Sequence, residues 1–163
     1  MAALMNLGST STFLLRLSSL AALLTAMVIA SAQSVANDVP AASQIQPDKL
    51  VMAMKASGTQ KPTVLYVGPK AFYTQAHIPG AEFIGPVGQP DGMAALRTRG
   101  ASLPKNMPVV IYCGCCPWDH CPNISPAFAE LKKEGFSKVR VLYLATSFGV
   151  DWKDKGFPVA KGE

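Results

Sequence analysis

The stretch that decides the fold is VVIY, residues 109–112, which is followed directly by Cys113 and by the loop CGCCPWDHCPN (113–123). A short, apolar and largely β-branched run of this kind predicts a buried strand. Ligands of open α/β sheets bind beyond the carboxyl ends of the strands. We therefore expect Cys113 to lie at the edge of the sheet where an α/β domain binds its ligands.

Strand and helix patterns alternate on both sides of this run. Such alternation predicts an α/β domain with a central parallel sheet flanked by helices. Gly135 is expected to end the helix that follows the cysteine loop. The other predicted strands cover residues 63–67, 82–84 and 139–144, and the predicted helices or helical turns cover residues 47–57, 71–76, 93–99, 126–134 and 151–155.

The N-terminal region has the pattern of a secretory signal peptide. One positive charge, Arg16, precedes an apolar stretch over residues 17–30, and Ala30-Ser31-Ala32 matches an A-x-A cleavage site. The stretch is shorter than the ~20 residues that a spanning helix needs. We expect a periplasmic or secreted protein without a membrane anchor after cleavage. The predicted organisation is a signal peptide over residues 1–32, a linker over 33–46 and one domain over 47–160.

The chain has 15 Lys and Arg against 10 Asp and Glu, which gives a formal net charge of +5. These basic residues are dispersed, and no basic stripe is interleaved with aromatic residues. Nucleic acid is therefore not an expected partner. The charge balance is compatible with a small anionic substrate.

All four cysteines of the chain lie within residues 113–121. A disulfide scaffold would distribute its cysteines so that bridges join distant segments. Clustering instead indicates site chemistry. Because a loop between a strand and a helix can direct backbone N–H groups at a sulfur atom or a bound anion, Cys113 is the candidate nucleophile.

Four motifs, in their order along the chain, resemble the rhodanese-like (sulfurtransferase) superfamily. They are HIPGA (77–81), VVIYC (109–113), LKKEGF (131–136) and WKDKGFPV (152–159). The resemblance implies a small α/β domain and an active-site cysteine that maps onto Cys113. It also implies a persulfide on that cysteine, formed from a small sulfur-containing anion or a thiol and passed to a small or protein acceptor. No cofactor is expected.

The sequence departs from the family pattern in three places. The active-site loop is longer than the compact cradle of the family and carries three extra cysteines. The Arg-Ser pair that commonly ends the cradle is missing near residues 123–125, and Tyr66-Val67-Gly68 replaces a common Asp-x-Arg. The sulfur donor is thus left open between thiosulfate and other sulfane-sulfur compounds.

Three interpretations of the extra cysteines stay open. Cys115, Cys116 or Cys121 could resolve a persulfide on Cys113 or form a disulfide in the loop, and a bridge between the adjacent Cys115 and Cys116 would be strained. The four thiols with His120 could also hold Cu(I) or zinc, although crowding on one loop disfavours tetrahedral zinc. The alternatives to a sulfurtransferase are therefore a thiol–disulfide redox protein and a non-enzymatic module that binds a soft metal or a protein.

The other residues of the predicted active-site loop have structural or supporting interpretations. His120 beside Asp119 could lower a thiol pKa or could be an exposed loop residue. Pro117 stiffens the loop, and Trp118 covers it. Outside the loop, His77 and Trp152 are expected to be structural. The predicted active-site loop comprises Gly114, Pro117, Trp118, Asp119, His120 and Asn123 together with the cysteines.

Overall fold

The computed structural model describes residues 38–162. The predicted signal peptide and the first part of the predicted linker lie outside these residues. Within them, the strands are β1 (Gln44–Ile45), β2 (Thr63–Tyr66), β3 (Glu82–Phe83), β4 (Val109–Tyr112) and β5 (Val139–Leu142). These five strands form one parallel sheet in the order β1-β5-β4-β2-β3.

The run VVIY forms the central strand of the sheet, as its sequence predicts. All four of its residues are buried. Val109 and Ile111 pack into the core on one face of the sheet, whereas Val110 and Tyr112 pack into the core on the other. Successive side chains of a strand point to opposite faces, so a strand that is covered on both sides is apolar throughout.

Helices cover both faces of the sheet. The helical residues Leu96 and Leu131 are fully buried in the first core, whereas the helical residue Leu50 and the residue Trp152 are fully buried in the second. No helix among the described residues is long and apolar enough for a membrane span. The helices are α1 (Pro47–Met54), α2 (Lys70–Gln75), α3 (Pro90–Ala101), α4 (Ile124–Lys133) and α5 (Phe148–Asp151).

The linker predicted over residues 33–46 was placed too far into the domain. Two of its residues, Gln44 and Ile45, form β1 and pair with Val141 and Leu142 at the edge of the sheet. A strand of two residues has no detectable period of its own, because its conformation depends on the neighbouring strand. The prediction for residues 151–155 is also shifted, since α5 begins at Phe148 and a 3-10 turn follows it.

The HIPGA turn has the structural role expected of it. His77 is buried, its Nδ1 hydrogen-bonds the Tyr73 carbonyl at 2.9 Å, and its ring stacks on the Tyr73 ring at a centroid distance of 3.9 Å. The backbone of His77 pairs with Ala160 through hydrogen bonds of 2.9 and 2.8 Å. Trp152 is fully buried, and its Nε1 donates to the Pro158 carbonyl at 2.8 Å. These contacts fix the C-terminal segment beside the sheet.

Candidate active site

Cys113 lies at the carboxyl end of β4, in the position that the sequence predicts. It is buried, with 2% of its surface exposed. The loop that it begins continues to Asn123, and α4 starts at Ile124. This residue therefore lies between the central strand and the loop that leads to the next helix.

Gly114 gives the loop its first turn. It has φ +75°, and a Cβ at this position would lie 2.6 Å from Cβ of Phe148, so a side chain would meet both backbone strain and a clash. The Gly114 carbonyl accepts a hydrogen bond of 3.0 Å from the Phe148 N–H, and the Trp118 N–H donates to the Ala145 carbonyl at 3.1 Å. These bonds tie the loop to the segment after β5.

Gly68 leaves room for the Cys113 sulfur atom. A Cβ at residue 68 would lie 2.7 Å from Cys113 Sγ and 2.7 Å from the Tyr66 hydroxyl. In the sequence, Tyr66-Val67-Gly68 is only a departure from the family pattern, and the role of Gly68 was not predicted. A glycine just after a buried strand often marks a place where another group approaches the backbone closely, so the sequence did contain a sign of this role.

The four cysteines converge on one another as unpaired thiols, and no disulfide is formed among them. Sγ of Cys115 lies 3.2 Å from Sγ of Cys113 and 3.2 Å from Sγ of Cys116. The sulfur atoms of Cys113, Cys115 and Cys121 all lie within 4.8 Å of one another. This sulfur trio is the only arrangement of metal-ligating side chains of its kind among residues 38–162, and its soft donors suit a thiophilic cation.

Asn123 links the sulfur atom to a second loop. Its side chain is buried, Nδ2 donates to Cys113 Sγ at 3.4 Å, and Oδ1 accepts a hydrogen bond of 2.9 Å from the Gly88 N–H. Both ends of the amide are therefore occupied, which fixes its orientation. A donor held in this way stabilises negative charge on the sulfur atom.

The thiols shift one another's pKa in opposite directions. Hydrogen bonds from the Cys113 and Cys115 thiols, together with one from the Asn123 N–H, lower the pKa of Cys121. The hydrogen bond with Cys115 lowers the pKa of Cys113, but the hydrogen bond with Cys121 and burial outweigh it, so the pKa of Cys113 is raised. The pKa of Cys115 is raised chiefly by its hydrogen bond with Cys113, and that of Cys116 chiefly by burial.

The rest of the predicted loop is more exposed than Cys113. Pro117, Asp119 and His120 are exposed. Trp118 is half-buried and lies beside Cys113, Cys116 and Cys121, and its ring centroid lies 4.9 Å from that of Tyr143. The five donors predicted for a soft metal thus reduce to the sulfur trio, because neither His120 nor Cys116 belongs to it.

A cavity of about 410 Å³ opens at the carboxyl edge of the sheet, with Cys113 and Cys115 in its wall. This volume lies in the range of small-molecule sites. A separate narrow space of about 10 Å³ is lined by Cys121 and Cys116 as well as by Cys113. None of the cysteines lines the cavity of about 400 Å³ at the amino ends of the strands, beside Lys138.

The other residues around the first cavity were not predicted from the sequence. They include Tyr66, Phe72, Gln75, Phe148, Lys153 and Lys161.

Comparisons with known proteins agree with this architecture. The family model of the rhodanese-like domain matches residues 46–146. The Alr3790 protein from Anabaena sp. is 22% identical with a TM-score of 0.54, over 72% of this chain and 92% of that one. The BH2092 protein from Bacillus halodurans is 21% identical with a TM-score of 0.55, over 72% and 76%. No curated protein matches significantly.

A third solved structure holds a modified cysteine. It is EanB with a cysteine persulfide and ergothioneine in a tetrahedral intermediate state; it is 19% identical to this chain with a TM-score of 0.55, over 72% of this chain and 28% of that one. At these identities the likeness concerns the fold. The family match over most of the described domain, together with the five-stranded parallel sheet and the cysteine at the end of its central strand, shows that this chain belongs to the rhodanese-like domain family.

Proposed function

We propose that this chain is an exported sulfurtransferase that carries sulfane sulfur as a persulfide on Cys113. The observation that carries the proposal is the position of this thiol. Cys113 ends the central strand and borders the cavity, and its sulfur accepts hydrogen bonds from the Cys115 N–H and from Asn123 Nδ2. Donors aimed at one buried sulfur atom stabilise the negative charge of a thiolate or of a persulfide.

Cys121 is the neighbour that receives the proton of Cys113. The sulfur atoms of Cys113, Cys115 and Cys121 lie within 4.8 Å of one another, so the trio shares its protons and holds one thiolate, whose charge moves to Cys113 as the proton of Cys113 leaves. As a donor enters the cavity, the proton passes to Cys121 and the Cys113 sulfur attacks the outer sulfur of the donor. The S–S bond of the donor breaks, the remainder of the donor leaves with the electron pair, and a persulfide remains on Cys113.

The cavity suits a small sulfur-containing anion or a thiol. Lys153 and Lys161 are exposed at the cavity and supply positive charge, while Phe72 and Phe148 supply apolar surface. An acceptor thiol, or a thiol of a protein acceptor, then removes the outer sulfur. EanB, which contains the same fold, carries a persulfide on a cysteine.

The proposed site of action is the periplasm or the extracellular space. This part of the proposal depends on the signal-peptide pattern of residues 1–32, which ends in Ala30-Ser31-Ala32. Sequencing the N-terminus of the protein isolated from its own compartment tests it. We expect the mature chain to begin at Gln33, and a chain that retains residues 1–32 in the cytoplasm would contradict export.

Intact mass spectrometry tests the chemistry. The reduced chain is incubated separately with thiosulfate and with inorganic polysulfide, without added thiol, and is then alkylated. Cys116→Ser is the matched control, because Cys116 does not line the cavity. Wild type and Cys116→Ser should gain sulfur, either retained on the chain or recovered as hydrosulfide, whereas Cys113→Ser should gain none. Uptake by Cys113→Ser at the wild-type rate would refute the assignment.

A soft-metal site is the second candidate function, and the sulfur trio favours it. Three cysteine sulfur atoms within 4.8 Å of one another suit a three-coordinate cuprous ion, which would bind them as thiolates. Titration of the reduced chain with Cu(I) against a chromophoric chelator should then give one equivalent, and the binding should be lost in Cys121→Ser but kept in Cys116→Ser. Equal binding by the two variants would exclude the trio as a metal site.

A further inference from the structure

Given the proposed function, we infer that Cys115 resolves the Cys113 persulfide, so that the sulfur leaves as hydrosulfide and the chain acts as a sulfane-sulfur reductase. Cys113 is loaded with sulfur as proposed above, and only the next step is new. The sulfur atoms of Cys113 and Cys115 lie 3.2 Å apart. A thiol that already touches the persulfidated sulfur has a high effective concentration compared with any acceptor from solution.

The position of Cys115 distinguishes it from the other two cysteines. It is half-buried and lies in the same cavity wall as Cys113, one residue away across Gly114. Cys121 is buried, and neither Cys121 nor Cys116 lines the cavity; both line a separate narrow space instead. Cys115 is therefore the extra thiol that both contacts Cys113 and faces the cavity through which hydrosulfide can leave.

The step balances without an added co-reactant. The persulfide on Cys113 is an anion, and Cys115 is a thiol whose hydrogen bond with Cys113 keeps it protonated. The Cys115 sulfur attacks the inner sulfur and forms a disulfide with Cys113. The bond to the outer sulfur breaks, and the outer sulfur leaves with the electron pair and takes the Cys115 proton as hydrosulfide. The two cysteine sulfurs are oxidised and the sulfane sulfur is reduced.

A further turnover requires an external dithiol. Such a reductant attacks the Cys113–Cys115 disulfide at its exposed side, returns both residues to thiols and becomes a disulfide itself. Gly114 alone separates the two cysteines, so their bridge closes a small ring. Small strained rings of this kind are readily reduced, which favours turnover over a static crosslink.

A single-turnover experiment on the full chain tests the inference. The reduced chain is mixed with one equivalent of thiosulfate without thiol, and hydrosulfide and intact mass are measured together. After thiosulfate has given its outer sulfur to Cys113, the remainder leaves as sulfite. Hydrosulfide therefore arises only from the persulfide. Wild type and the matched control Cys116→Ser should release about one equivalent and lose two hydrogens. Cys115→Ser keeps a hydrogen-bond donor beside Cys113 and should retain the added sulfur, with release at least about tenfold slower.

The outcomes separate this inference from the proposed function. Release from Cys115→Ser at the wild-type rate, or a wild-type chain that keeps its added sulfur, overturns the role of Cys115 and leaves the persulfide on Cys113 intact. A wild-type chain that neither gains sulfur nor releases hydrosulfide, with inorganic polysulfide as well as with thiosulfate, overturns the proposed function and this inference with it.

Discussion

The HIPGA turn and the cysteine loop are the two most distinctive segments of the sequence, and they differ in how their polar groups are used. In HIPGA, His77 is paired with the Tyr73 carbonyl and with the backbone of Ala160, so its hydrogen bonds stay within the scaffold. In the cysteine loop, the thiols of Cys113 and Cys115 face one another and a cavity. A recognisable motif is therefore not in itself a functional site.

The difference lies in what each buried group can still do. Buried polar groups whose partners are all internal contribute to stability and to the choice of one conformation. A buried thiol that contacts other thiols and borders a cavity is accessible to a molecule that enters the cavity. Changes in HIPGA should therefore affect stability, and changes around Cys113 should affect chemistry.

The largest expected effect concerns Cys121 and acidic pH. The pKa of Cys121 is lowered, so the thiolate persists as the pH falls below the ordinary thiol range, and sulfur loading by wild type should be nearly constant between about pH 5 and pH 8. Cys121→Ser has no such base. Its loading rate should fall as the pH falls and be about 10²-fold below wild type at about pH 6. Stopped-flow loading with polysulfide measures both profiles, and parallel profiles would contradict the role of Cys121.

The next effect belongs to the scaffold. His77→Ala removes the hydrogen bond to Tyr73 and the stacked ring, and it should lower the free energy of unfolding by about 2 kcal/mol. Urea titration followed by circular dichroism measures this change. Sulfur loading per folded molecule should equal that of wild type. A loss of loading without a loss of stability would place His77 in the chemistry and break the comparison.

Gly68 should show a smaller effect on chemistry. Alanine at this position adds a Cβ at 2.7 Å from Cys113 Sγ, so the sulfur atom must shift. Displacement of a nucleophile by a fraction of an ångström should slow loading by about tenfold. The rate is measured with polysulfide, and near-ultraviolet circular dichroism checks that the core is native. An unchanged rate would show that the sulfur atom is not held in place by the loop after β2.

The smallest effect concerns the charges at the cavity. Lys153→Ala should raise KM for thiosulfate about threefold, because Lys153 is exposed and its field is weakened by solvent and salt. The increase should vanish in high salt. Lys138→Ala is the matched control, since Lys138 is also exposed but lies beside the cavity at the amino ends of the strands. Equal effects of the two variants would exclude local charge steering.

The fold could be predicted from the sequence because every residue of the central strand is hydrophobic. VVIY is apolar at every position, and its burial on both faces follows from that. The same run placed Cys113 at the carboxyl edge of the sheet. The edge strand Gln44–Ile45 was missed, because two residues carry no periodic signal and gain their conformation from β5.

The details of the site could not be predicted from neighbouring residues alone. Gly68 contacts Cys113 from the loop after β2, and Lys161 reaches the cavity from the end of the described residues. The loop sequence suggested His120 as a partner of the thiols, yet His120 is exposed and Asn123 contacts the sulfur atom instead. Which member of a short loop turns inward depends on tertiary packing, here on the ties of the loop to the segment after β5.

The most direct test of the account is the location of the added sulfur. Reduced Cys115→Ser protein, in which resolution by Cys115 is removed, is loaded with thiosulfate or inorganic polysulfide and alkylated, and its peptides are mapped by tandem mass spectrometry. One added sulfur is expected on Cys113 and none on Cys116 or Cys121. Sulfur found first on Cys121, or on no cysteine with either donor, would contradict a persulfide on Cys113.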